Sequence, residues 1–83
     1  MIVKVRLYAV LKDRLPPGTK GEEMELELPE GATPQQVIEQ LEIPPPLAHL
    51  VMLDGYHLLP DEVRNRPILK GEVLSIFPPV AGG

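Results

Sequence analysis

The chain has 83 residues, enough for one domain with a single modest core and too few for a cleft between two domains, so a conventional buried active site is not expected. Hydrophobic residues make up 43%, but only Tyr8, Tyr56 and Phe77 are aromatic, so the core must be aliphatic. The formal net charge of −4, with Lys and Arg scattered, lacks the basic stripe that phosphate neutralisation requires and argues against a nucleic-acid partner, and the absence of cysteine excludes disulfides, thiolate metal sites and side-chain persulfides.

Residues Ile2 to Tyr8 alternate, with Val3, Val5 and Leu7 on one face and Lys4, Arg6 and Tyr8 on the other, which predicts a half-buried first strand. Ala9 to Leu15 reads as a short helical turn closed by Pro16-Pro17-Gly18. Glu23 to Leu28 alternates strictly, Met24, Leu26 and Leu28 inward and three glutamates outward. Paired antiparallel with the first strand, those glutamates face Lys4 and Arg6, an arrangement contributing roughly 0.2–1 kcal/mol per pair.

Pro29-Glu30-Gly31 breaks the second strand. Thr33-Pro34-Gln35-Gln36 then gives a capping box with Pro34 at the first helical position, so a helix over Pro34 to Leu41 is expected, its stripe of Val37, Ile38 and Leu41 packed on the sheet and its extension blocked by Pro44-Pro45-Pro46. His49 to Leu53, Asp54-Gly55 and Tyr56 to Leu58 predict a β-hairpin with a two-residue turn. Pro60 to Asn65 reads as irregular. After a turn at Lys70-Gly71-Glu72, Val73 to Phe77 forms the last strand, with Leu74 and Ile76 on one face and Val73, Ser75 and Phe77 on the other.

Two strands, a helix, a hairpin and a last strand have few compact solutions. Sequential strands pair, and the last lies parallel to the first only because a helix-containing crossover separates them. The expected class is α+β, a β-grasp (ubiquitin-like) fold with a mixed sheet of four to five strands gripping one main helix over residues 1–77, followed by a flexible, extended Gly-Gly tail over residues 78–83. The opening residues lack the apolar stretch of a signal peptide and no run reaches membrane-spanning length, so no membrane contact and a cytoplasmic location are expected.

Parallel neighbours bring Tyr8 and Phe77 together on the face opposite the aliphatic core, at the root of that tail. Such an aromatic cluster, with Leu58 or Val73 beside it, is expected to be a protein-docking surface. His49 and His57 lack metal-ligand spacing and Asp61 and Glu62 lack a pocket, so no metal site and no acid–base chemistry is assigned to them.

The run Phe77-Pro78-Pro79-Val80-Ala81-Gly82-Gly83 closely resembles the ending of sulfur-carrying small subunits of molybdopterin synthase, the MoaD branch of the MoaD/ThiS family. Length, the opening Lys4-Val5 strand with its Tyr8-Ala9 end and the Pro67-to-Gly71 turn fall in the same order. The resemblance implies a carrier without catalysis or bound cofactor of its own. An E1-like activating enzyme would adenylate the Gly83 carboxylate with ATP, a sulfur donor such as a cysteine desulfurase or rhodanese would convert it to a thiocarboxylate, and the large synthase subunit would use that sulfur for the dithiolene of molybdopterin. Carriers for thiamin, cysteine or tungsten-cofactor synthesis, a ubiquitin-like modifier and a plain binding module stay open as alternatives.

Physical roles for the tail accompany the resemblance. Gly82 and Gly83 have no Cβ to jam a narrow channel, and Pro78 and Pro79 favour an extended exit that loses little entropy on insertion. Phe77 to Gly83, including Val80 and Ala81, reaches at most about 23 Å extended.

Overall fold

A computed structural model describes residues 1–80. Strands β1 (Ile2–Leu7), β2 (Glu23–Glu27), β3 (Leu50–Leu53), β4 (Tyr56–His57) and β5 (Val73–Phe77) form one sheet in the order β2-β1-β5-β3-β4. Only β1 and β5 are parallel; β2 pairs antiparallel with β1, β3 with β5 and β4 with β3. Helices α1 (Pro34–Gln40) and α2 (Pro60–Asn65) and two short 3-10 turns, Ala9–Arg14 and Pro45–Leu47, complete the chain, giving the anticipated β-grasp. Among the described residues no helix is long and apolar enough to cross a membrane.

The alternation in the sequence decides which face is inside. Every second residue of β1 (Val3, Val5, Leu7) and of β5 (Leu74, Ile76) is buried, and the parallel register sets Val5 beside Leu74 and Leu7 beside Ile76. Val51 and Leu53 extend this apolar sheet face, and Val37 and Ile38 of α1 close over it. Among the described residues the buried set is entirely hydrophobic, so the core contains no polar group that must find a partner.

Local chemistry starts and stops α1. Thr33 accepts the Gln36 backbone N–H at 3.4 Å while the Gln36 side chain accepts the Thr33 N–H at 2.8 Å, the predicted capping box with Pro34 following it. The helix stops before the prolines are reached. Glu42 turns left-handed at φ 55°, and Ile43 N–H bonds back to the Ile38 carbonyl at 3.0 Å, closing the last turn from within. Pro45 and Pro46 instead open the second 3-10 turn.

One element departs from the sequence reading: Pro60 to Asn65 is helical, where an irregular segment was expected. Its N-cap is Leu59, which carries no capping oxygen. Glu62 supplies one by accepting the Leu59 backbone N–H at 2.8 Å, Pro60 occupies the first position, and Val63 N–H closes onto the Leu59 carbonyl at 2.9 Å.

Two acidic side chains fix how the chain enters β5. Asp54, at φ 49° in the hairpin turn with Gly55 at 84°, accepts the Val73 N–H at 2.7 Å. Glu72 accepts both terminal nitrogens of Arg66 at 3.3 and 3.1 Å and the Leu69 N–H at 2.7 Å. The Arg66 hydrogen bond, helped by that N–H and opposed by partial burial, holds the Glu72 carboxyl below the ordinary carboxylate range. Because the folded-state value lies below the unfolded one, the pair stabilises the fold fully above about pH 4.5 and loses its contribution as pH falls through the folded-state value. Glu72→Gln is therefore expected to cost roughly 1 kcal/mol at pH 7, modest because Arg66 is partly exposed. Urea unfolding across pH 7 to 3 checks this, since the gap between variant and parent should close on acidification.

Candidate functional site

The feature that stands out on the surface is the end of the sheet where β1 and β5 finish side by side. Leu7 pairs with Ile76, so Tyr8 and Phe77 come next on the outer face. Their rings stack with centroids 4.2 Å apart and planes 7° from parallel. The backbone holds this arrangement: Phe77 is in register with Leu50 of β3, and its carbonyl accepts the His49 N–H at 3.1 Å.

Around the stacked pair lies an apolar groove of about 530 Å³. Val10 and Leu50 form its sides, and Pro78, Pro79 and Val80 run along it as the chain leaves the sheet. Ala9 adopts a left-handed conformation (φ 53°), which turns the chain out of β1 and sets Val10 on the groove, where it is 54% exposed. Val80 is 80% exposed. Exposed aliphatic and aromatic groups are thus gathered in one place, on the sheet face opposite the aliphatic core.

An ion pair stands next to the stacked rings on the outer face. Arg6, one step before Tyr8 on the same face, donates from Nε to Glu23 at 3.0 Å. Glu23, by accepting that hydrogen bond, raises the guanidinium above its ordinary value, and Tyr8 acts weakly in the same direction. Both partners are partly solvent-exposed, so the pair adds little to stability.

The structure thus brings together Tyr8, Phe77, Pro78, Pro79 and Val80, as the sequence led us to expect. Leu58 is a correction. It is only 5% exposed, sits in the core, and donates its N–H to the Val51 carbonyl at 2.9 Å. Being opposite core-facing Val51 across the hairpin, its side chain must point to the inner face, away from the aromatics. Val73 does lie on the outer face, but beside Lys4 at the far end of β5. Sequence reasoning missed Val10 and Leu50. Within the turn expected over Ala9 to Leu15 only Leu11 is fully buried, and no pattern in so short a segment sets Val10 apart; Leu50 was detectable through the alternation of β3, since Val51 and Leu53 take the core. Ala81, Gly82 and Gly83, the remaining expected site residues, lie outside the described residues.

Sheet order, helix placement and an apolar strand end carrying an exiting chain define a ubiquitin-like β-grasp protein. The chain belongs to the ThiS family, a family of small ubiquitin-like sulfur carriers, whose model matches residues 5–83. No curated protein sequence matches it. Among solved structures, the HVO 2177 protein of Haloferax volcanii is similar over 100% of this chain and 87% of its own, with a TM-score of 0.77 at 22% identity. SAMP1 of the same organism is similar over 100% of both chains, with a TM-score of 0.68 at 18% identity. A third similar chain belongs to the complex of subunits 1 and 2 of the molybdopterin-converting factor of Helicobacter pylori, with a TM-score of 0.58, 23% identity and 100% of both chains covered. These likenesses establish the fold.

Proposed function

We propose that this chain is a sulfur carrier acting as the small subunit of a molybdopterin synthase, with Gly83 as the residue that carries the sulfur. The observation that carries this reading is the union of a family match running through residue 83 with an apolar docking groove at the root of the same segment. The similar chain from Helicobacter pylori, seen in complex with its subunit 2, supports a large synthase subunit as the occupant of that groove.

The chemistry follows from the carboxylate. A free carboxylate is a poor electrophile because its charge repels nucleophiles. Attack of its oxygen on the α-phosphorus of ATP, held by an E1-like activating enzyme, releases pyrophosphate and leaves a mixed anhydride with AMP as leaving group. The terminal sulfur of a persulfide on a cysteine desulfurase or rhodanese then attacks the carbonyl carbon and expels AMP, and a thiol of the donor cleaves the resulting acyl disulfide, becoming oxidised to a disulfide as the thiocarboxylate is released. The resulting thiocarboxylate is a soft nucleophile at neutral pH, so the carrier needs no cysteine, consistent with its composition. The partner's active site receives it at the end of an extended segment stiffened by Pro78 and Pro79. In this scheme the chain itself binds no cofactor and performs no catalysis, and every step takes place in the cytoplasm.

Co-expression with an activating enzyme and sulfur donor, followed by intact-mass measurement, tests the proposal. The expected product is heavier by the difference between sulfur and oxygen, with the change confined to the C-terminal peptide. A ladder of isopeptide conjugates, or an unchanged mass, would overturn it.

A further inference from the structure

The sheet has an open margin that the tail chemistry does not use. β2 is the terminal strand, and the hydrogen bonds at its two ends fix which of its backbone groups face β1. Met1 and Leu28 exchange two bonds, at 2.7 and 2.8 Å, and Leu7 N–H bonds to the Glu22 carbonyl at 2.8 Å. Bonded pairs alternate along an antiparallel ladder, so Met24 and Leu26 also turn their backbone groups toward β1. It follows that the N–H and C=O groups of Glu23, Glu25 and Glu27 point outward, where no strand of the described residues meets them.

Side chains on this margin differ by face. On the inner face Met24 and Leu26 are only half-buried, packed against the core from one side. On the outer face stand the three glutamates. Glu23 is held by Arg6 and Glu27 stands 4.0 Å from the Met1 ammonium, and the Glu25 and Glu27 carboxylates are exposed. We propose that this edge accepts an extended segment of a partner protein in which Lys or Arg alternates with aliphatic residues. Its backbone would pair with Glu23, Glu25 and Glu27, its cations would sit beside their carboxylates, and its aliphatic residues would cover Met24 and Leu26. The fold already uses this code on the other side of β2, where Lys4 faces Glu25 and Arg6 faces Glu23.

A second copy of this chain does not fit. Pairing β2 with itself about Glu25 would set Glu25 against Glu25 and Glu23 against Glu27, like charges directly opposite. The same residues that admit a basic strand therefore protect the edge from self-association.

A blocked peptide, Val-Lys-Val-Arg-Val-Lys-Val, titrated into the isotopically labelled protein tests this. The amides of Glu23, Glu25 and Glu27 should shift and exchange more slowly with deuterium, while those of Met24 and Leu26 change little. Glu25→Gln should weaken binding about 1.5- to 5-fold. Glu25→Pro removes an outward donor without touching the β1 ladder and should abolish binding with the Val5 and Leu74 signals unmoved. Absence of binding, equal binding of a peptide with Glu at the basic positions, or shifts confined to Tyr8, Leu50 and Phe77 would overturn the proposal.

Discussion

Deletion of Gly83 is expected to leave a protein that folds and still docks on its large partner, yet transfers no sulfur. Among the described residues the buried core ends at Ile76, so stability should change by less than about 0.5 kcal/mol. The apolar groove is built from residues 8 to 80 and is likewise untouched. What the deletion alters is reach. The shortened chain still ends in a glycine carboxylate, Gly82, but one residue, or about 3.3–3.6 Å, short of the partner's reacting atoms. A misplacement of about 1 Å already costs on the order of 100-fold in a positioned reaction, so transfer should fall below detection in a single-turnover assay. Retained transfer would show that Gly83 is not the carrier atom's residue.

Phe77→Ala separates docking from folding. The ring is half-buried in the isolated chain and meets Tyr8 across the outer face, while the strand around it is held by backbone bonds to β3 that alanine preserves. Truncation should therefore cost roughly 1 kcal/mol of stability, by urea unfolding, because one stacked neighbour and part of its burial are lost. Binding to the large synthase subunit should weaken by about 30-fold or more, by calorimetry, as for an aromatic anchor at the centre of an interface. A variant that unfolds readily while binding normally would assign Phe77 to the structure of the sheet end instead.

Much of this site could be read from the sequence because two simple periodicities govern it. Alternation assigned Tyr8 and Phe77 to the outer face, and the parallel pairing required by the crossover then brought their ends together. The capping box around Thr33 and the cross-strand charges of Arg6 and Glu23 were legible for the same reason, each being a local pattern with one geometric meaning. Helix α2 was not, because its cap comes from Glu62 reaching back to a residue with no polar side chain, a signal that looks like loop polarity. Leu58 was misplaced through neglect of register: a two-residue turn at Asp54-Gly55 sets Leu53 against Tyr56, Met52 against His57 and hence Leu58 against core-facing Val51. The groove was harder still. It depends on β3 lying beside β5, a long-range neighbour relation that no local pattern in β3 announces.

The position of β5 as the middle strand has a mechanical consequence. A chain drawn into a channel by its last residues pulls along β5, and β5 is bonded to β1 on one side and to β3 on the other. Force applied in that direction is resisted by both ladders in shear, many hydrogen bonds at once, where an edge strand would peel away one bond at a time. A protein gripped by its end can thus be pulled and released repeatedly without its sheet unravelling from the point of attachment.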